Sequence, residues 1–290
     1  MDGSPHVAAM EEAIQNLFGP STLHRLQVES IVVHSFRVDT RDTSYFVKFP
    51  ASPSQEAAAN ALLSVELNCP VLLEHGVTST KQPYLVYEWM DLETFDPSQS
   101  RIAAAGELVG LLHQTTRGAT HPGLQLKGPI NEEIETQVRS ISRLEPELAG
   151  RLTGLLSGLG ALCEVVDSHF PKVLVHGDFA WQNVGIDRQG RVVLFDFESG
   201  SIASPLRELM RSWHGDLRDD ADRAAFLDGY CGVTGADRTV MYEGAMPLEL
   251  LRAVRFLLAG LVAHHEGTVK SSVLAIEELR ADLARRGALM

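Results

Sequence analysis

Apolar residues change their spacing near residue 90. Before it they fall in short runs rich in β-branched and aromatic side chains, and after it they recur at helical intervals. Residues 23–27, 31–38 and 45–49 have strand character, and the polar stretch 39–44 (DTRDTS) supplies turn chemistry, so the last two runs are expected to form a hairpin. A short helix over 11–18 ends at Gly19-Pro20. Pro50 and Pro53 stop the third run, an alanine-rich helix is predicted over 55–67, and strands over 71–74 and 84–89 follow. Further on, Ile102, Ala105, Leu108, Val109 and Leu112 share one helix face. Leu148, Leu152, Leu155, Leu159, Leu162 and Val166 alternate steps of four and three, which predicts one continuous apolar face. Residues 121–129 form a Gly- and Pro-containing loop, and strong helical patterns cover 248–262 and 272–285. The expectation is an α+β chain with a β-rich part, residues 1–90, and a helical part, residues 91–290. The connector at 88–97 is too short for a free linker, so the parts should pack with a cleft between them.

Most of the chemistry falls between two short strand stubs, 173–175 and 192–195. The loop between them and the turn at 187–190 should bring Asp178, Asn183 and Asp196 together. These are oxygen donors suited to a hard cation or a proton. Magnesium takes few protein oxygens when phosphates supply the rest, and an aspartate held off the metal can take the proton of an attacking hydroxyl. In the β-rich part, Lys48 lies in an otherwise apolar strand, YFVKF. A buried ammonium there needs a partner, while on an edge strand it would point to water.

Together, His176-Gly177-Asp178, then Asn183, then Asp196-Phe197-Glu198 resemble the catalytic loop and metal motif of the aminoglycoside phosphotransferase and choline kinase superfamily. That resemblance implies a protein-kinase-like bilobal fold, with a nucleotide-binding N-lobe at 1–90 and a catalytic, substrate-binding helical C-lobe at 91–290. ATP and Mg²⁺ are the implied cofactors. It implies that Asp178 is the catalytic base, that Asn183 and Asp196 hold Mg²⁺, and that His176 is structural. Lys48 would reach the ATP phosphates, paired with Glu56, or with Glu66 further along the same predicted helix. The backbone of Glu88 and Met90 would meet the adenine. Two positions depart from the pattern. The turn at 27–30 lacks the small-residue phosphate loop and leaves Ser30 to contribute, and Glu208 stands where many relatives have aspartate, as a cap or loop anchor.

Charge narrows the partners. Lys and Arg number 25 against 38 Asp and Glu, a net charge of -13, which argues against nucleic acid. The same field would attract a cationic small molecule, although it equally serves solubility. Asp216, Asp219, Asp220, Asp222 and Asp228 cluster after Trp213. Glu198, Asp216 and Trp181 are candidate contacts to such a molecule, with the core or a solvated helix start as the plainer reading of the tryptophan and the aspartates. The cysteines Cys69, Cys163 and Cys231 have no metal or disulfide spacing, and His264-His265-Glu266 is expected at a helix end. With no signal-like start and no membrane-length apolar run, a cytoplasmic protein without membrane partners is expected. The expected function is phosphorylation of a hydroxyl on a cationic antibiotic of aminoglycoside or basic peptide type, conferring resistance. The alternatives are a metabolic kinase for choline, ethanolamine, homoserine or a sugar, and an ATP-binding regulator without catalysis.

Overall fold

In the computed structural model the described residues are 5–26, 34–50, 53–63, 67–79, 81–217 and 219–285. The N-terminal region is a five-stranded antiparallel sheet preceded by helix α1 (Pro5–Phe18). Its elements are β1 (Thr22–Leu26), β2 (His34–Asp39), β3 (Ser44–Phe49), helix α2 (Pro53–Asn60), β4 (Leu72–Val77) and β5 (Pro83–Glu88), with strand order β1-β2-β3-β5-β4. The expected hairpin is β2–β3, closed by Thr40 N–H donating to the Thr43 carbonyl. Strand alternation divides the sheet between two jobs. Phe36, Val38, Val47, Phe49, Tyr84 and Val86 face α1 and pack on Val7, Met10 and Ile14. Each large side chain fully buried there contributes roughly 1.5–3 kcal/mol. Phe46, Leu85 and Tyr87 pack on the other face with Ala57 of α2. Lys48, one residue on from Val47, therefore points to the same side as α2.

Two sequence expectations in this region are revised, and a third falls partly outside the described residues. The strand expected over 31–38 is described only from His34, since 31–33 lie outside the described residues. Helix α2 stops at Asn60 instead of reaching residue 67. Asn60 turns its amide back to the Glu56 carbonyl (2.8 Å) and to the Tyr87 hydroxyl (3.1 Å), and the chain tightens through Leu62 N–H to the Ala59 carbonyl. The strand expected over 71–74 continues to Val77.

A two-residue strand, β6 (Glu93–Thr94), leads into the helical region. There α3 (Gln99–Thr115), α4 (Ile130–Ser142), α5 (Pro146–Gly158) and α6 (Gly160–Glu164) precede the short strands β7 (Val173–Val175), β8 (Val184–Ile186), β9 (Val192–Leu194) and β10 (Ser201–Ala203). Helices α7 (Leu209–Gly215), α8 (Asp220–Thr234), α9 (Arg238–Val262) and α10 (Glu266–Arg285) complete it. One large core runs from α3 through α9 to α10, with Ile102, Leu112, Leu206, Phe226, Leu251 and Leu257 fully buried or nearly so. The single helix face expected from Leu148 to Val166 is broken at Leu159, where the axis bends by 65°. Glycines on both sides of Leu159 weaken the helix there, and the bend still keeps Leu152, Leu155, Leu159 and Val166 buried.

Part of the aspartate run serves helix starts. Asp219 caps α8 by accepting from Ala221 and Asp222 N–H, and Asp237 caps α9 from Thr239 and Val240. Such caps are worth about 1 kcal/mol each. His264 and His265 lie between α9 and α10, as expected of a helix end. Among the described residues no single helix is long and apolar enough to cross a membrane.

Candidate functional site

Strand β7 pairs with β10 and delivers His176-Gly177-Asp178 at its end. Glu208, fully buried, fixes this turn. Its carboxylate accepts from His176 N–H (2.7 Å) and Gly177 N–H (3.1 Å), and lies 3.2 Å from His113 Nε2. Burial works against its charge, but the hydrogen bond and charge of His113 outweigh that and hold the carboxyl below its ordinary value. Asp178 N–H donates to His176 Nδ1 (3.3 Å), so Nε2 is the donor to the Phe195 carbonyl (2.8 Å). The imidazole thereby ties the loop to the chain just before Asp196. Gly177 has φ +78°, and a Cβ there would lie 2.4 Å from the Ser199 carbonyl oxygen. Only glycine fits that turn without a shift.

Asn183 is buried behind the loop. Its amide nitrogen donates to the Asp178 carbonyl (2.8 Å) and carboxylate (3.2 Å). With the nitrogen so committed, the side-chain oxygen is the end that can meet a cation. Asp196 is held at φ +69°, a left-handed conformation that costs an L-residue about 1 kcal/mol or more. That backbone turns its carboxylate toward the sheet. There Lys48 Nζ lies 2.6 Å from Asp196 Oδ1, 2.8 Å from Glu56 Oε2 and 3.4 Å from Glu198 Oε2. The other Glu56 oxygen accepts from the Tyr87 hydroxyl (2.7 Å). Burial alone would push the Lys48 ammonium down, but attraction to Glu56 and Asp196 wins and holds it above its ordinary value. Carboxylate oxygens of Glu56, Asp196 and Glu198 lie within 4.8 Å of one another. Three carboxylates around one ammonium leave two negative charges, which suits a divalent cation with oxygen ligands.

A cavity of about 420 Å³ opens beside these groups, lined by Asp178, Asp196 and Glu198 and also by Lys127, Arg207 and Arg255. A second, of about 460 Å³, is lined by Phe46, Tyr87, Glu88, Met90, Leu92 and Phe195 and is mostly apolar. The structure thus brings Lys48, Glu56, Asp178, Asn183, Asp196 and Glu198 into one neighbourhood and sets Glu88 and Met90 along the adjoining slot. Ser30 and Glu66 lie outside the described residues. Trp181 and Asp216 are drawn elsewhere. The Trp181 indole N–H donates to the Asp216 carbonyl (3.1 Å), its ring stacks on Phe95, and neither residue lines the cavity beside Asp178.

Sequence reasoning missed four basic residues here. Arg211 forms an ion pair with Asp178 Oδ1. Lys127 comes from a loop read only for its glycines and prolines, Arg207 adjoins Glu208 in a segment noted only for its acid, and Arg255 was lost within an apolar helical pattern. The two arginines in LLRAVRFLL, Arg252 and Arg255, are a usable signal, because an apolar helix segment rarely takes a guanidinium without a partner.

Comparison with known proteins accords with this geometry. The model of the phosphotransferase enzyme family matches residues 33–243. Among solved structures, the chain is similar to the GDP complex of wild-type aminoglycoside 2'-phosphotransferase-IIIa, at 15% identity and TM-score 0.69, covering 97% of this chain and 99% of that one. It is similar to the macrolide 2'-phosphotransferase of Brachybacterium faecium, at 15% identity and TM-score 0.66, covering 94% and 98%. The choline kinase of Streptococcus pneumoniae is similar at 18% identity and TM-score 0.66, covering 94% and 99%. At such identities these likenesses speak to the fold. No curated protein sequence matches the chain.

Proposed function

The chain belongs to the phosphotransferase enzyme family, and from that premise we propose that it moves the γ-phosphate of ATP to a small-molecule hydroxyl held beside Asp178. The observation that carries this reading is the bridge from Lys48 to both Glu56 and Asp196, the last of which lines the cavity together with Asp178. A lysine held charged by two carboxylates is the donor that phosphate oxygens need, and phosphoryl transfer is mostly positioning and charge stabilisation.

Each side chain then has one task. Glu56, steadied by Tyr87, keeps Lys48 aimed at the phosphates. Glu88 and Met90 line the apolar slot, where their backbone would meet the base. Asp196 and Asn183 would hold Mg²⁺, with Glu198 as a further carboxylate at the same place. When bound, Mg²⁺ would neutralise phosphate charge. Asp178 orients the acceptor hydroxyl and takes its proton. Glu208 and His176 keep that carboxylate in place through the loop backbone.

As for the acceptor, aminoglycoside and macrolide phosphotransferases share this fold with a choline kinase, so the fold alone does not choose between an antibiotic and a metabolite. A cationic antibiotic draws support from the net charge of -13. The local geometry lends it none. Trp181 and Asp216 are bonded to each other away from the cavity, and Glu198 is engaged with Lys48.

A transfer assay read by mass spectrometry tests the reading. The full chain with MgATP and a panel of hydroxyl compounds should yield a product heavier by one phosphate. Asp178→Asn should slow that transfer by a factor on the order of 10²–10⁴ while ADP still binds. Near-normal turnover by Asp178→Asn would sink its role as base.

A further inference from the structure

The cavity beside Asp178 also carries the opposite charge. Lys127, Arg207 and Arg255 line it, in a chain where acids outnumber bases 38 to 25. The fold sets them there deliberately. Residues 125–127 run beside β10, with Ile202 N–H donating to the Gln125 carbonyl (2.9 Å) and Lys127 N–H donating to the Ile202 carbonyl (2.9 Å). Since β10 pairs with β7, which ends at the Asp178 loop, Lys127 is tied to the catalytic turn through two strands. Arg207 comes from the short helical turn after β10, and Arg255 from α9.

Their present partners do not use up their charge. Glu133 of α4 is the carboxylate that joins them, accepting from Arg207 Nη1 (2.7 Å) and pairing with Arg255. Arg207 Nη2 donates to the Gly128 carbonyl (2.7 Å), but its Nε, although buried, has no hydrogen-bond partner among the described residues. The Arg207 side chain is only 6% exposed, so an idle donor there calls for an explanation. Among the described residues, Arg255 Nη1 meets nothing better than the Met210 thioether, at 3.6 Å. Lys127 Nζ rests on the neutral Gln125 amide (2.8 Å). Burial and the nearness of Arg255 and Arg207 push the Lys127 ammonium below its usual range, as expected for cations crowded on one side of a cavity. A purely structural role needs only Glu133 between two arginines; it does not need Lys127.

Resting on the transfer reading above, we propose that Lys127, Arg207 and Arg255 form an anion subsite and that the acceptor is a hydroxyl compound carrying a carboxylate or phosphate group. The anionic end would lie against the basic wall and the hydroxyl against Asp178, within a cavity of about 420 Å³ that suits a small metabolite. Guanidinium groups are the natural readers of planar carboxylates and of phosphates.

The test begins without turnover. Malonate and inorganic phosphate, as the carboxylate and phosphate probes, are titrated calorimetrically into the full chain saturated with MgADP. At least one should bind. Lys127→Met should weaken it on the order of tenfold, and Lys127→Arg should restore it. Whichever probe binds more tightly identifies the carboxylate or the phosphate source. Binding of neither probe, or binding indifferent to Lys127→Met, overturns the subsite. The second arm compares matched hydroxyl compounds bearing anionic, neutral and cationic groups in the transfer assay. The anionic series should give the lowest acceptor KM, and Lys127→Met should raise that KM far more than it lowers kcat. Preference for the cationic series would overturn the inference while leaving phosphotransfer itself intact. ADP that fails to bind, or ATP that is never transferred, counts against the transfer reading instead.

Discussion

Two charged clusters that each reach the cavity are built as opposites. On the side of the sheet, one ammonium, Lys48, sits among three carboxylates, Glu56, Asp196 and Glu198. On the side of α4 and α9, one carboxylate, Glu133, sits between two guanidinium groups, with a third cation, Lys127, close by. Each cluster is held together by its minority charge. Each also keeps an excess of the other sign, and an excess charge beside a cavity favours a ligand of opposite sign. By this contrast the acidic side is suited to a metal–nucleotide complex and the basic side to an anionic group. Arg207 and Glu208 sit next to one another in sequence at the border. The arginine reaches the basic cluster, while the glutamate reaches back under the Asp178 turn.

The largest effect should come from removing the minority charge of the acidic cluster. Lys48→Met leaves Glu56, Asp196 and Glu198 facing one another without their ammonium. Transfer measured as kcat/KM should fall by a factor on the order of 10²–10³, with a rise in the KM for ATP. The loss is electrostatic and not simply steric, so Lys48→Arg should recover part of it. Full activity in Lys48→Met would mean that the acidic cluster serves only to join sheet and helix.

Next in size is the border residue. Glu208 accepts from two backbone N–H groups and lies against His113, and an amide in its place turns an NH₂ toward at least one of those donors. Glu208→Gln should cost about 2–4 kcal/mol in chemical denaturation at neutral pH. The sign with pH follows from its depressed carboxyl. A carboxyl lowered on folding stabilises fully above its unfolded value, about 4.3. That contribution is lost as the pH falls through the lower folded value. The stability gap between the unaltered chain and Glu208→Gln should therefore be widest near neutrality and shrink in acid. A gap independent of pH would mean that the glutamate acts by shape alone.

Much of this was legible in the residues. HGD, Asn183 and DFE carry their own spacing, and the hydrophobic stubs on either side predict the strands that bring them together. Lys48 was legible because an ammonium in an apolar strand needs a counter-charge, and Glu56 was the better of the two helical candidates offered. The basic wall was not legible. Lys127, Arg207 and Arg255 lie on a loop, a short helical turn and a long helix, more than forty residues apart in sequence, and only β10 and the packing of α4 on α9 bring them to one cavity. Composition pointed the opposite way, because a net charge of -13 describes the whole surface and says nothing of one wall. The break at Leu159 escaped for a related reason. Apolar spacing records which side chains are buried, and a bent axis can bury the same set.

The smallest effect is also the one that separates the two accounts of the basic cluster. Glu133 is about three-quarters buried, with a side-chain exposure of 23%, and bridges Arg207 and Arg255. Glu133→Gln keeps the shape and removes the charge, so the chain should lose about 1 kcal/mol of stability, measured by thermal or urea unfolding. Under a purely structural account nothing further happens, and added malonate or inorganic phosphate shifts the melting temperature of neither protein. Under the anion account, Arg207, Arg255 and Lys127 now confront the cavity without the carboxylate that joined the two arginines. A ligand that binds only the folded state stabilises it according to its affinity. The same concentration of malonate should then raise the melting temperature of Glu133→Gln more than that of the unaltered chain. Raising the salt concentration with chloride should narrow the difference, because the attraction is between charges partly open to solvent. An equal or smaller shift in Glu133→Gln would place the guanidinium charge in the service of packing α4 against α9, and the contrast between the two walls would then be one of architecture alone.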